Sequence, residues 1–191
     1  MKALALIRPD KAGADAEDTL WRHAKMVREA LGEHSVVLRD FSDAPASPVS
    51  RVVQRLCSYA QSGDTAPWSS PEQIDADVST ALRLLCSRPI TLVWEDGSAW
   101  TSTDPLADQS PCGTVVHAAW SRRRIERGEP IAASELARLA SVSPSWVRAQ
   151  VTEGTLAATS SRRGVPYMIE AKEARRWLGA RGLPGWNERT P

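Results

Sequence analysis

The stretch LARLASVSPSWVRAQVTEGTL, residues 136–156, holds two short helical patterns separated by three residues, and its second pattern stops on a glycine. In the first, Leu136, Leu139 and Ala140 recur at i, i+3 and i+4, a narrow apolar stripe. Ser141-Val142-Ser143 breaks that pattern. Ser143 followed by Pro144 is a helix start: a side-chain oxygen for the free N–H groups, then a residue with φ preset and no N–H to satisfy. In the second pattern Val147 and Val151 share one side. With about 100° between successive residues, Ser145, Arg148, Ala149 and Thr152 gather on the opposite side. Glu153 lies off the centre of that side, and Gly154 ends the helix. The outer side is small, polar and basic.

A short helix of this kind fits the major groove of duplex DNA, which is about 12 Å wide and admits one helix. Arg148 can donate two hydrogen bonds to a guanine, while Ser145 and Thr152 reach base edges or phosphates. Ala149 lets the backbone approach, and Ser143 at the helix start is counted with this face. The same 21 residues also fit a helical hairpin whose polar side is simply wet.

The following residues bear on that choice. LAATSSRRGVPYMI, residues 156–169, is two β-capable runs around a tip holding Arg162, Arg163 and Gly164. It predicts a hairpin wing over 157–169, placed to reach phosphates or a narrow minor groove. EAKEARRWL, residues 170–178, then predicts a closing helix with Ala174, Trp177 and Leu178 at i, i+3 and i+4. Residues 131–178 together resemble the winged helix-turn-helix of the MerR and phage-excisionase group. The shared features are a Glu-Leu-Ala opening, a Val-Ser turn, a Val-Arg second helix, a Gly-x-Leu exit, an Arg/Gly hairpin and a short helix ending Trp-Leu. The resemblance implies sequence-specific binding to double-stranded DNA, as a homodimer or a multimer on adjacent sites. Ser141 stands where that group often has Gly. Trp146 stands where a small hydroxyl residue is usual; it either packs against the rest of the module or touches a sugar-phosphate edge. Upstream, Arg122, Arg123 and Arg124 cannot share one helix face, and they either extend the phosphate footprint or form a solvated basic turn.

The chain has 191 residues and a net charge of +1, which conceals a division. Residues 1–111 carry 11 basic against 16 acidic groups, a net of −5, and residues 112–191 carry 13 against 7, a net of +6. An acidic half joined to a basic half is expected where only the basic one meets a polyanion. The opening MKALALIRPD has an apolar run too short for a signal-peptide core, and no stretch is long enough to span a membrane. The three cysteines are widely separated, without CxxC or Cys/His spacing, and suit a reducing cytoplasm. No metal and no cofactor is expected.

The acidic half reads as alternating strands and helices: strand KALALI, a Gly-containing turn, a helix over 16–31, strand SVVLRDF, a helix from Pro48, another over 74–86, and a hairpin ITLVWEDGSAWTST. ALALIRPD, the strand ending Arg39-Asp40 and LVWEDGS resemble the catalytic domain of small serine recombinases. That resemblance lacks its nucleophile, because Asp10 occupies the place of the serine two residues after Arg8. His23, His34 and His117 are scattered, no Gly-rich phosphate loop is present, and Asp15, Glu17 and Asp18 suit a helix start. The expected architecture is therefore α+β. It comprises an acidic α/β domain over 1–103 for assembly or partner binding, a linker and basic helix over 104–130, a winged helix-turn-helix over 131–180, and a tail. The expected function is non-enzymatic, cytoplasmic, sequence-specific DNA binding, first as a transcription regulator. An excisionase-like architectural factor and a recombinase- or nuclease-like enzyme targeted by the same module are the alternatives.

Overall fold

A computed structural model describes residues 4–31, 48–86, 90–93, 99–102, 107–159 and 167–186. Helices dominate: α1 (Pro9–Leu31), α2 (Pro48–Ser62), α3 (Pro71–Leu85), α4 (Pro111–Glu126), α5 (Ala133–Leu139), α6 (Pro144–Thr152) and α7 (Ala171–Ala180). Among the described residues, strands are limited to two antiparallel pairs. These are β1 (Ile90–Val93) with β2 (Ala99–Ser102), and β3 (Ile131–Ala132) with β4 (Met168–Ile169). The α+β expectation is corrected accordingly: the chain is mostly helical, and no α/β layer forms among the described residues.

The correction begins at the first element. KALALI alternates too little to be a strand. Its residues Leu4–Leu6 form a 3₁₀ turn, which puts Leu4 and Ile7, three positions apart, into the core while Ala5 and Leu6 face out. Pro9 then opens α1, seven residues before the expected start. Gly13 had suggested a turn, since glycine weakens a helix interior. Here it serves a close approach: a Cβ at Gly13 would lie 2.7 Å from both Ser50 Oγ and Gln54 Nε2 of α2. Ala12, Ala16 and Thr19 continue this buried stripe of small side chains. The strand expected at SVVLRDF lies outside the described residues. The arms of the expected 90–103 hairpin pair along their described residues, from Ile90 opposite Ser102 to Val93 opposite Ala99.

The region read as a linker and basic helix contributes the central helix of the molecule. Ser110 caps α4 by accepting from Gly113 N at 3.1 Å, and Pro111 fills its first turn. Val115, Val116, Ala118, Ala119 and Ile125 are buried on all sides of α4, which packs against α1, α2, α3, α5 and α7. A single apolar core consequently runs from Leu4 to Trp186, across the boundary that the charge reversal suggested.

Part of the opposite charge of the two halves meets in one contact. Arg123 Nε donates to Asp75 Oδ1 of α3 at 2.6 Å, and Arg127 pairs with the same carboxylate at 2.5 Å. Basic residues of the second half thus neutralise acidic residues of the first. Burial would push the Asp75 carboxyl up, but the two guanidiniums outweigh it and hold the carboxyl below its ordinary range. Stabilisation from a lowered carboxyl is complete above the ordinary carboxylate range and is lost as the pH falls below that range and through the lowered value of the folded state. Asp75→Asn is therefore less stable than the parent at neutral pH, and the difference narrows on acidification to about pH 3. Urea unfolding at the two pH values checks this, and a constant difference would contradict it.

Candidate nucleic-acid interface

Helices α5 and α6 meet through a turn that both sequences encode. Ser141 closes α5 in the left-handed region, φ 56°, with its N–H bonded to Arg138 O and the N–H of Val142 bonded to Ala137 O. Serine is strained where Gly is usual, but its Oγ gains a bond by accepting from Ala5 N at 3.3 Å. Ser143 Oγ then accepts from Trp146 N at 3.1 Å, the helix cap that Ser143-Pro144 predicts. Val147 is fully buried and Val151 half-buried, so α6 is held by the side that the pattern assigned to packing. Gly154, at φ 75°, ends it with Gly154 N bonded to Val151 O and Thr155 N to Gln150 O.

The opposite side of α6 faces out. Ser143, Ser145, Arg148 and Thr152 are exposed and Ala149 is half-buried. Thr152 Oγ1 donates back to Arg148 O at 3.0 Å, and the Ser143 and Ser145 hydroxyls share a 3.0 Å bond. The Arg148 guanidinium makes no hydrogen bond or ion pair among the described residues. Gln150 Nε2 donates to Glu153 Oε2 at 3.0 Å, which occupies part of the one nearby carboxylate on the helix end.

Trp146 packs against α7 and is still 37% exposed. Its ring lies 5.6 Å from that of Trp177 on α7, and the Arg181 guanidinium stacks 4.6 Å from Trp146 and 5.0 Å from Trp177. The closing helix α7 is where the pattern placed it, with Ala174, Trp177 and Leu178 buried. Of the expected wing, residues 160–166 lie outside the described residues. Among the described residues its two arms meet only at Thr159 and Met168, which exchange N–H···O bonds of 2.8 and 3.2 Å, and β4 pairs chiefly with β3. Arg162 and Arg163 lie outside the described residues.

The arginine row does not join this face. Arg122 is 2% exposed inside the core. Arg123 is engaged by Asp75, and Arg124 Nη1 donates to both oxygens of Glu135 at 3.0 Å while its Nη2 donates to Pro130 O at 2.6 Å. Their expected phosphate footprint is corrected: internal carboxylates and carbonyls take the donors that phosphates would need. The +6 of the basic half therefore overstates the charge presented to a partner. Arg175 likewise donates to Ile125 O and Glu126 O at the end of α4, and Arg176 pairs with Glu173. Lys172, exposed at the start of α7, makes no hydrogen bond or ion pair among the described residues and was not singled out from sequence.

In the acidic half, Asp10 sits exposed in the first turn of α1 and accepts from Arg8 Nε and Nη2 at 3.0 and 2.9 Å. A carboxylate there complements the helix dipole. Among the described residues no helix is long and apolar enough to cross a membrane. Comparison with protein-family models, curated protein sequences and solved structures finds no match.

Proposed function

We propose that the chain binds double-stranded DNA in a sequence-specific way, with α6 in the major groove, and that it acts as a transcription regulator. The observation that supports this most is Arg148, exposed and without a hydrogen bond or ion pair among the described residues, at the centre of a side otherwise made of Ser145, Ala149 and Thr152, on a helix whose other side is anchored by Val147. A guanidinium that keeps its donors for a partner is what base reading requires, since its fork matches guanine O6 and N7. The Ser143 cap and the Trp146–Trp177 contact support a fixed placement of the helix that carries this donor. Fluorescence anisotropy with duplexes chosen from a random pool tests the reading.

Arg162 and Arg163 supply backbone contacts in this proposal. The double variant Arg162→Ala/Arg163→Ala is expected to lose affinity for all duplexes alike, and to reduce the slope of log K against log salt by about 1–2. A loss confined to one sequence would contradict the assignment. The proposed working unit is a homodimer, because paired helices about one helical turn apart, roughly 34 Å, read a two-part site. The exposed Leu6, Trp21 and Leu84 of the N-terminal half are the candidate contacts. Sedimentation of the full chain is expected to show a dimer that Trp21→Ser weakens; a monomer at all concentrations would remove this part.

A further inference from the structure

A second constellation lies away from α6, at the junction of α3, α4 and the 3₁₀ turn before α4. Cys86 caps the C-terminal end of α3, Asp108 lies in the turn Ala107–Gln109, and His117 is one and a half turns into α4. One donor atom from each, a thiol sulfur, a carboxylate oxygen and an imidazole nitrogen, falls within 4.8 Å of the other two. These three side chains line a cleft of about 560 Å³, together with Ser79, Leu82 and Trp120. We propose that Cys86, Asp108 and His117 form a site for a divalent transition metal of borderline softness, Zn²⁺ first.

The donor set selects the metal class. Thiolate, imidazole and carboxylate are the three side chains Zn²⁺ takes in tetrahedral sites, whereas Mg²⁺ and Ca²⁺ take oxygen only. The imidazole and carboxylate are already close to the spacing needed. His117 Nε2 and Asp108 Oδ1 are 2.8 Å apart, and bonds of about 2.0–2.1 Å at a tetrahedral angle require roughly 3.3 Å, so the pair opens by about half an ångström. The existing bond also holds the imidazole and carboxylate in place before the metal arrives. Cys86 is buried while His117 and Asp108 are part-exposed, so the fourth position faces the cleft and is left for water or a small ligand. On binding, the Cys86 thiol releases its proton to solvent, and the Nε2 proton that His117 shares with Asp108 is given up as the ring takes the Nδ1–H tautomer. Two anionic ligands neutralise the dication, which matters because Arg83 lines the same cleft and Arg138 lies near enough to interact with both Cys86 and Asp108.

The site is independent of the DNA-binding proposal, and its test uses Co²⁺ as a spectroscopic probe on the full chain after chelation and desalting under reducing conditions. One equivalent of Co²⁺ is expected to bind, giving a sulfur-to-cobalt charge-transfer band and the strong visible bands of tetrahedral Co²⁺. Equimolar Zn²⁺ is expected to bleach both. Cys86→Ser removes the charge-transfer band, Cys57→Ser retains it, and His117→Gln lowers Co²⁺ affinity tenfold or more. If Cys86→Ser does not fold, His117→Gln, whose side chain is partly exposed, decides the matter. Absence of the charge-transfer band in the parent protein, its persistence in Cys86→Ser, or an unchanged affinity in His117→Gln overturns the proposal.

Discussion

Replacing Arg122 with Ala lowers the free energy of unfolding by about 3 kcal/mol, the larger of the two effects expected from single substitutions that test the fold and the interface. The guanidinium is 2% exposed, stacked 4.2 Å from the Trp186 ring and 5.7 Å from that of Tyr59. Its Nη2 donates to Gly185 O at 2.9 Å, and its Nε to Glu126 Oε1 at 3.3 Å. Tyr59 O–H donates to the other oxygen of the same carboxylate at 2.5 Å. Burial pushes the Tyr59 hydroxyl far above its ordinary range, with the Glu126 charge adding to it, so this donor stays protonated. Three separate parts of the chain, α2, α4 and the segment after α7, therefore meet on one side chain. Gly63 and Gly185 flank it in the left-handed region, φ 76° and 73°, where an added Cβ would overlap the guanidinium. Alanine leaves a cavity and removes one of the two guanidiniums paired with Glu126, which keeps Arg123 at 3.4 Å and is part-exposed; hence the lower part of the range for breaking a buried pair. Arg122→Lys recovers little, because an ammonium cannot stack or fork in the same way. Urea unfolding monitored by Trp fluorescence measures the loss, and a change below about 1 kcal/mol would show that Arg122 is not the joint described.

The second effect concerns the interface. Arg148→Ala is expected to weaken binding to the preferred duplex by about 1–3 kcal/mol, roughly a 5- to 150-fold change, while leaving binding to unrelated duplexes nearly unchanged. The side chain is exposed and bonded to nothing among the described residues, so the fold should tolerate its removal. Equal unfolding curves for parent and variant are part of the expectation. A loss of the same size on every duplex would make Arg148 a phosphate contact and remove it from base reading.

What could be read from the sequence was local. The Ser143-Pro144 helix start, the Val147 anchor, the exposed side of α6, the closing helix and the paired arms of 90–103 all depend on residues within one turn or one strand pairing. The readings that failed needed distant information. Gly13 resembles a turn until Ser50 and Gln54 are placed beside it. The apolar run of α4 resembles a short basic helix until partners on every side are seen, because a helix buried all round shows no periodicity. The arginines at 122–124 resemble a phosphate footprint until Asp75, Glu126 and Glu135 are found as their acceptors. The abundant tryptophans fall into the same pattern: Trp68, Trp146, Trp177 and Trp186 each stack with an arginine. Cys86 and His117 are 31 positions apart, a separation at which no metal-ligand spacing is recognisable.

Selection of duplexes from a random pool, run in parallel on the parent chain and on Arg148→Ala, addresses the role of α6 most directly. The parent is expected to enrich a defined site, and the variant to enrich the same site with its preference for guanine lost at one base pair of each half. Enrichment of no site by the parent, or an identical site with identical preferences from both proteins, would contradict base reading by α6.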